Sequence, residues 1–227
     1  MREPLCVIYK INMEIFDSSK SLLENLYYLS GILILISIII GLIQLSIAKK
    51  TLKINSERDA ATLAAKQIEI YMTRVIPLHN KIFLYEIKEK IERPEISLGE
   101  FDTDTLVNKM GKEEYIRISK ERIKLTSLTL ATLNSMEAFS VYFIKEVADE
   151  EIAFSSVGQT FTQSVESLYF DIASCRNKES KSFQNLIKLY GIWKNKISKE
   201  KLENDKIDLS KQLDAIESVS IKPLGTK

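Results

Sequence analysis

The chain has 227 residues, of which 32 are basic and 31 acidic, a balance that excludes the broad cationic surface of a nucleic-acid-binding protein. Seven Gly and four Pro are too few for a sandwich or barrel of many short strands, which needs turn residues throughout. An all-α fold is expected, with length for one domain plus an anchor.

Residues 1–25 form a mixed-charge N-terminal segment. From Asn25 to Ala48 no side chain is charged, and Leu26–Ala48 is 23 residues long with 14 Leu or Ile. At about 1.5 Å per residue such a helix spans roughly 34 Å, against a hydrocarbon core of about 30 Å. Its Leu and Ile residues together favour insertion by on the order of 4 to 8 kcal/mol. Residues 26–48 therefore read as a transmembrane helix and the lipid bilayer as a partner. The run exceeds the apolar core of a cleaved signal peptide, and no net positive charge precedes it, so the anchor is expected to stay uncleaved.

Lys49, Lys50, Lys53 and Arg58 crowd the C-terminal flank, whereas Arg2, Lys10 and Lys20 are scattered among acidic residues. The positive-inside rule then puts the N-terminus outside the inner (plasma) membrane and the C-terminal domain in the cytoplasm. Tyr27 and Tyr28 suit the outer interface. Ser30, Ile34, Ser37, Gly41, Gln44 and Ala48 follow a 4-3-4-3-4 spacing, which is one helix face. Small residues allow close backbone approach and Gln can bond across an interface, so Ser30, Ser37, Gly41 and Gln44 predict a homo-oligomer seam.

Beyond the span, residues 49–199 read as a cytosolic helical domain. A stalk helix is expected over 49–93, with Ala61, Ala65, Ile68, Met72, Val75 and Ile82 on one face and a kink or lost hydrogen bond at Pro77. Residues 94–111 read as a linker with a short helix from Thr103 to Met110, capped by Asp102 or Thr103. A long helix is expected from Lys112 to Val147, then one capped by Asp149 and running to Cys175. A last one runs from Glu179 or Ser180 to Lys199, with Phe183, Leu186, Ile187, Tyr190 and Trp193 as its apolar stripe. Residues 112–199 are thus bundle helices, the whole an antiparallel bundle. Residues 200–227 read as a polar tail with a short helix at Leu209–Ile216.

Chemistry-bearing patterns are sparse. Cys6 and Cys175 make neither a disulfide framework nor a metal knuckle, although Arg176 and Lys178 could lower the pKa of Cys175. A lone unpaired cysteine suits a reducing compartment. His79 reads as a packed histidine. Arg176–Lys206 carries nine basic and four acidic residues, read as a solvated face, with anionic lipid or an acidic partner as the alternative. Glu137 stands in an apolar stretch with Asn134 one turn before it. A buried carboxylate needs a partner, so the pair is either a polar clamp fixing the register of neighbouring helices or a partner site. No catalytic, cofactor or metal-binding residue is assigned, and no cofactor is expected.

Leu133, Asn134 and Glu137, then the acidic start Asp149 and Glu150, then Trp193, resemble the pattern of a bacterial family with an N-terminal transmembrane helix and a cytosolic helical domain of unknown function. The likeness covers roughly residues 47–199. It implies this fold, and it implies no catalytic residue. Some similar proteins stand beside defence or mobile-element genes. The leading expectation is a membrane-anchored interaction, scaffold or sensor module with a protein partner. The alternatives are an antiphage-defence or toxicity effector acting through its membrane helix, and a cryptic enzyme centred on Asn134 and Glu137.

Overall fold

The structure is a computed structural model that describes the backbone of residues 3–91, 93–94, 98–177 and 179–217, and side-chain surroundings between residues 19 and 213. The side chain of Cys6, Arg2, Lys178 and the frayed end expected after Glu217 lie outside the described residues. The chain is helical, with no strand among the described residues. It divides into two compact units, Met1–Ser56 and Glu57–Lys227.

The first unit is formed by α1 (Glu3–Ile70), which also opens the second. Every side chain from Ser19 to Asp59 is exposed, and α1 is long and apolar enough to cross a membrane. The Ser30 hydroxyl donates to Tyr27 O at 2.7 Å and the Ser37 hydroxyl to Leu33 O at 2.8 Å. The helix backbone thus satisfies these two polar groups, as an apolar surrounding demands.

In the second unit α1 gives way to a wider π turn at Tyr71–Val75, followed by α2 (Ile76–Glu89). Pro77 has no N–H for the carbonyl four residues back, and its ring crowds that carbonyl. The wider turn just before it absorbs both problems without ending the rod. It also sets which residues face inward: Ala64, Gln67, Tyr71, Val75 and Ile82 are buried, while Ala65 and Met72 are exposed. The inward face is therefore rotated from the expected Ala61–Ala65–Met72 line, because the Tyr71 ring packs 5.0 Å from Phe139 and 6.1 Å from Phe161.

The short helix α3 (Thr103–Met110) stands where expected, with the Asp102 carboxylate accepting from Thr105 N at 2.8 Å. The single long helix expected over 112–147 is instead α4 (Lys112–Arg122), a tight 3-10 turn at Ile123–Leu125, and α5 (Thr126–Ile144). The turn lies directly after Arg122, whose side chain is anchored inside the domain. Asp149 caps α6 (Glu150–Ser167) through Glu151 N and Ile152 N. This helix stops short of Cys175 at Leu168, and α7 (Tyr169–Ser174) follows. The break divides the labour: Leu168 and Ile172 enter the main core, whereas Tyr169, Phe170 and Ala173 join Leu106 and Ile118 in a second, smaller cluster.

The last helix, α8 (Gln184–Glu217), starts later and runs much further than expected. Its start is delayed because Asn177 Oδ1 accepts from Glu179 N and Ser180 N, which forms a turn, and Phe183 is left-handed at φ 56°. It continues because 200–217 contains neither Gly nor Pro. That segment is helix rather than a polar tail, and it is exposed from Glu200 to Leu213. The main core closes on Trp193, whose ring lies 4.9 Å from Phe161, 5.9 Å from Phe154 and 6.1 Å from both Phe139 and Phe143. Its indole N–H donates to Glu150 Oε1 at 2.5 Å.

His79 on α2 packs against the end of α6, with Nε2 2.7 Å from Ser167 Oγ. Ser167 donates its own proton to Ser164 O, so His79 Nε2–H must be the donor. Burial lowers the His79 pKa below 6.5, with the Arg93 charge adding to this and Glu86 opposing it. The unfolded chain therefore takes up the proton first, so this contribution to stability is complete above pH 6.5 and is lost as pH falls below it. In urea unfolding, His79→Gln, which keeps a donor for Ser167, is expected to flatten that part of the stability–pH curve. An unchanged slope would show that His79 is not its source.

Candidate functional site

Glu86 follows Ile82 by one helical turn and so points into the domain, where only 4 % of its side chain is exposed. A carboxylate there must be paired. Arg122, at the end of α4 and 5 % exposed, donates from Nη1 to Glu86 Oε1 at 2.8 Å. It also grips Asp171 on α7 with two parallel bonds, Nε to Oδ1 at 3.0 Å and Nη2 to Oδ2 at 2.6 Å. Arg93 closes the second Glu86 oxygen at 2.6 Å. Two cations and two anions leave the cluster formally neutral, and the guanidinium carbon stands 5.8 Å from the Phe170 ring centre. Burial alone would lower the Arg122 pKa, but its bonds to Asp171 and Glu86 more than offset this and raise it. Burial pushes the Asp171 carboxyl up while the Arg122 bonds pull it down, and burial prevails.

Beside this cluster is a cavity of about 230 Å³ between α4, α5 and α7. Arg122 and Asp171 form one wall, and Tyr115, Leu130 and Phe170 supply apolar surface. Ser119, Thr126, Thr129, Ser174 and Cys175 complete it. Burial raises the Cys175 pKa and the Asp171 charge adds to that, so the thiol is held protonated. The shift is opposite to the lowering that Arg176 and Lys178 could have caused. Arg176 turns away from it, donating to Phe101 O at 2.7 Å and to Ser182 O.

The expected clamp at Glu137 and Asn134 is half present. Glu137 reaches across to the first turn of α8: Oε1 accepts from Asn185 N at 3.2 Å and Asn185 Nδ2 at 2.7 Å, and Oε2 from Leu186 N at 2.8 Å. It does the work of a cap that Phe183, just ahead of α8, has no side-chain acceptor to do. Asn134 is exposed and stays outside this contact. Ser30, Ser37, Gly41 and Gln44 are exposed along α1, as are Lys49, Lys50 and Lys53. Part of the basic run is paired with acids. Lys194 pairs with Glu166 at 2.5 Å, Lys196 with Glu150, and Lys199 reaches Glu203 at 3.9 Å.

Sequence reasoning missed the Arg122 cluster. The signal was the one that singled out Glu137: a lone acid in an apolar stretch, as Glu86 is in KIFLYEI and Asp171 in LYFDIA. Among the described residues no three His, Cys, Asp or Glu side chains are grouped to hold a metal ion. Comparison with protein-family models, with curated proteins and with solved structures finds no match for this chain.

Two substitutions test these arrangements in urea unfolding. Arg122→Met strands the Asp171 carboxylate, leaves Glu86 with Arg93 alone, and is expected to cost about 3–5 kcal/mol, while the triple change Glu86→Leu, Arg122→Met, Asp171→Leu recovers most of that. A single-variant loss below about 1 kcal/mol, the scale of an exposed pair, would refute the anchoring role. Glu137→Gln removes one acceptor and the charge facing the α8 dipole, for an expected loss of about 1–2 kcal/mol. Wild-type stability in that variant would mean α8 does not depend on the cap.

Proposed function

We propose that this chain is a membrane-anchored interaction and sensor module: residues 26–48 of α1 cross a bacterial inner membrane, with residues 1–25 outside and the helical domain in the cytoplasm. The observation that carries the reading is α1 itself, free of charge from Asn25 to Ala48 and exposed on every face there. An apolar surface of this extent requires an apolar medium. The orientation rests on Lys49, Lys50, Lys53 and Arg58 at one end of the span, with Tyr27 and Tyr28 at the other.

A protein partner is supported by apolar side chains left in the open on the domain, Leu84 at 64 % and Ile87 at 60 % on α2, and Leu202, Leu209 and Leu213 along α8. Self-association through Ser30, Ser37, Gly41 and Gln44 belongs to the same reading. With the two serine hydroxyls bonded to their own helix, Gly41 would provide close approach and Gln44 the cross-helix bond. The resemblance of Leu133, Asn134 and Glu137 to a family of anchored helical domains agrees with it.

The test is to express the full chain in bacteria and wash the membranes with alkaline carbonate. The chain is expected to stay in the pellet until detergent releases it. Protease should digest the domain in inverted vesicles and spare it in intact spheroplasts. Recovery in the carbonate wash would refute the span, and digestion in spheroplasts would refute the orientation.

A further inference from the structure

Two open hollows meet on the second unit at the C-terminal end of α2. The larger, of about 500 Å³, is lined by Phe83, Ile87 and Arg93 among others, and the smaller, of about 280 Å³, by Lys120 and Lys124. Lys90 and Ile91 line both, so the hollows form one groove across the helix end. Its groups are open to solvent: Phe83 is 46 % exposed, and Ile87, Lys90, Lys120 and Lys124 are exposed as well. Open apolar side chains rimmed by charge mark a contact surface.

The charges along the groove are unevenly used. Each of its acids is already paired, Glu86 with Arg93 and Arg122, Glu89 with Lys124 at 3.7 Å, and Glu121 with Arg117 at 2.9 Å. Lys90 and Lys120 pair with no acid among the described residues. Arg93 bonds Glu86 through Nε, and its guanidinium carbon stands 5.1 Å from the centre of the Phe83 ring. Its two Nη groups, which can grip a carboxylate, have no hydrogen-bond partner among the described residues. These three cations are strung along the groove, with Arg93 in the larger hollow, Lys120 in the smaller and Lys90 in both. Separated cations beside open apolar side chains match a chain with spaced carboxylates, whereas a single small anion is held by donors that converge on one point.

Lys90 supplies a second observation. It is left-handed at φ 54° and ψ 39°, where its N–H closes over the end of α2. Glycine takes that position without the penalty of a Cβ, so lysine is kept there at a cost to the fold. Strained positions of this kind collect at binding sites.

We propose that this groove docks an acidic segment of a protein partner, its carboxylates on Lys90, Arg93 and Lys120 and an apolar side chain on Phe83 and Ile87. The inference rests on the interaction-module reading above and gives that partner its chemistry. The anchor is tested by membrane extraction and the groove by binding in neutral detergent, so either can fail alone.

The experiment is fluorescence anisotropy on the full-length chain in a neutral detergent, with labelled synthetic peptides in which Asp and Glu flank one Leu or Phe. Matched peptides carry Asn and Gln in place of the acids, or Ala in place of the apolar residue. Glycerol phosphate, the headgroup chemistry of an anionic lipid, is the competing small anion. The acidic apolar peptides are expected to bind more tightly than both matched sets and to weaken as salt is raised. Lys90→Gly is expected to raise the Tm, because it relieves the left-handed backbone, and yet to lower the affinity about tenfold. Lys120→Gln changes an exposed side chain in the other hollow and is expected to lower the affinity likewise. Lys145→Gln, at a lysine that lines neither hollow, is expected to leave binding unchanged. Acidic peptides that bind no better than the neutral set overturn the proposal, as do wild-type affinities in both Lys90→Gly and Lys120→Gln. Tighter binding of glycerol phosphate than of any peptide also overturns it and makes the groove a small-anion site.

Discussion

A buried guanidinium cannot stand unpaired, and Arg122 is held by two carboxylates from different helices. Glu86 comes from the last turn of α2 and Asp171 from the middle of α7, with Arg122 itself where α4 tightens into its 3-10 turn. The fork geometry of arginine matters, because only a planar group with several fixed donors can grip Asp171 with two bonds and still reach Glu86. The arrangement makes three separate interruptions one constraint: α2 ends, α4 turns into α5, and α6 breaks into α7. The cavity beside Arg122 inherits this rigidity, since Arg122 and Asp171 are also its wall.

Around this anchor, three helix boundaries fall on residues not ordinarily suited to them. Lys90, Glu146 and Phe183 are left-handed at φ 54°, 55° and 56° without being glycine. At the first two, amide N–H groups close back over the helix end, from Ile91 to Glu86 O at 2.9 Å and from Val147 to Tyr142 O at 2.9 Å, the pattern that terminates helices at a left-handed residue. At Phe183 the compensation comes from elsewhere: Glu137 on α5 supplies the acceptors for the first turn of α8, while the Phe183 side chain packs on the main core. A non-glycine residue in that region is strained, and it persists where the surroundings over-determine it.

The two units answer different solvents. In Glu57–Lys227 the apolar side chains collect on Trp193, Phe139 and Phe161 and the charges pair or face out. Along residues 26–48 the large side chains, Gln44 apart, are apolar all round and exposed, with the Ser30 and Ser37 hydroxyls turned onto their own helix. Local rules suffice for a lone helix because all its backbone bonds are internal, whereas the domain needs long-range partners for its buried charges, Glu86, Arg122 and Asp171.

That contrast separates what was legible from what was not. The sequence alone determined the all-helical class, the charge-free run at 25–48, a cap at Asp102 or Thr103, the Asp149 cap and the apolar stripe ending in Trp193, because each depends on neighbours within about one or two helical turns. Tertiary structure decided the rest. Whether Tyr71 or Met72 turns inward depended on Phe139 and Phe161, and whether 112–147 stayed one helix depended on where Arg122 found its carboxylates. The role of Glu137 was half visible as an acid needing a partner, but the partner, the start of α8, lies 48 residues away. The three hydroxyls at 119, 129 and 174, buried without a hydrogen-bond partner among the described residues, carry no mark in the sequence, since serine and threonine on helices ordinarily satisfy themselves. Only the packing of α4, α5 and α7 buries these three around one cavity, because long-range contacts, unlike helix periodicity, leave no local pattern to read.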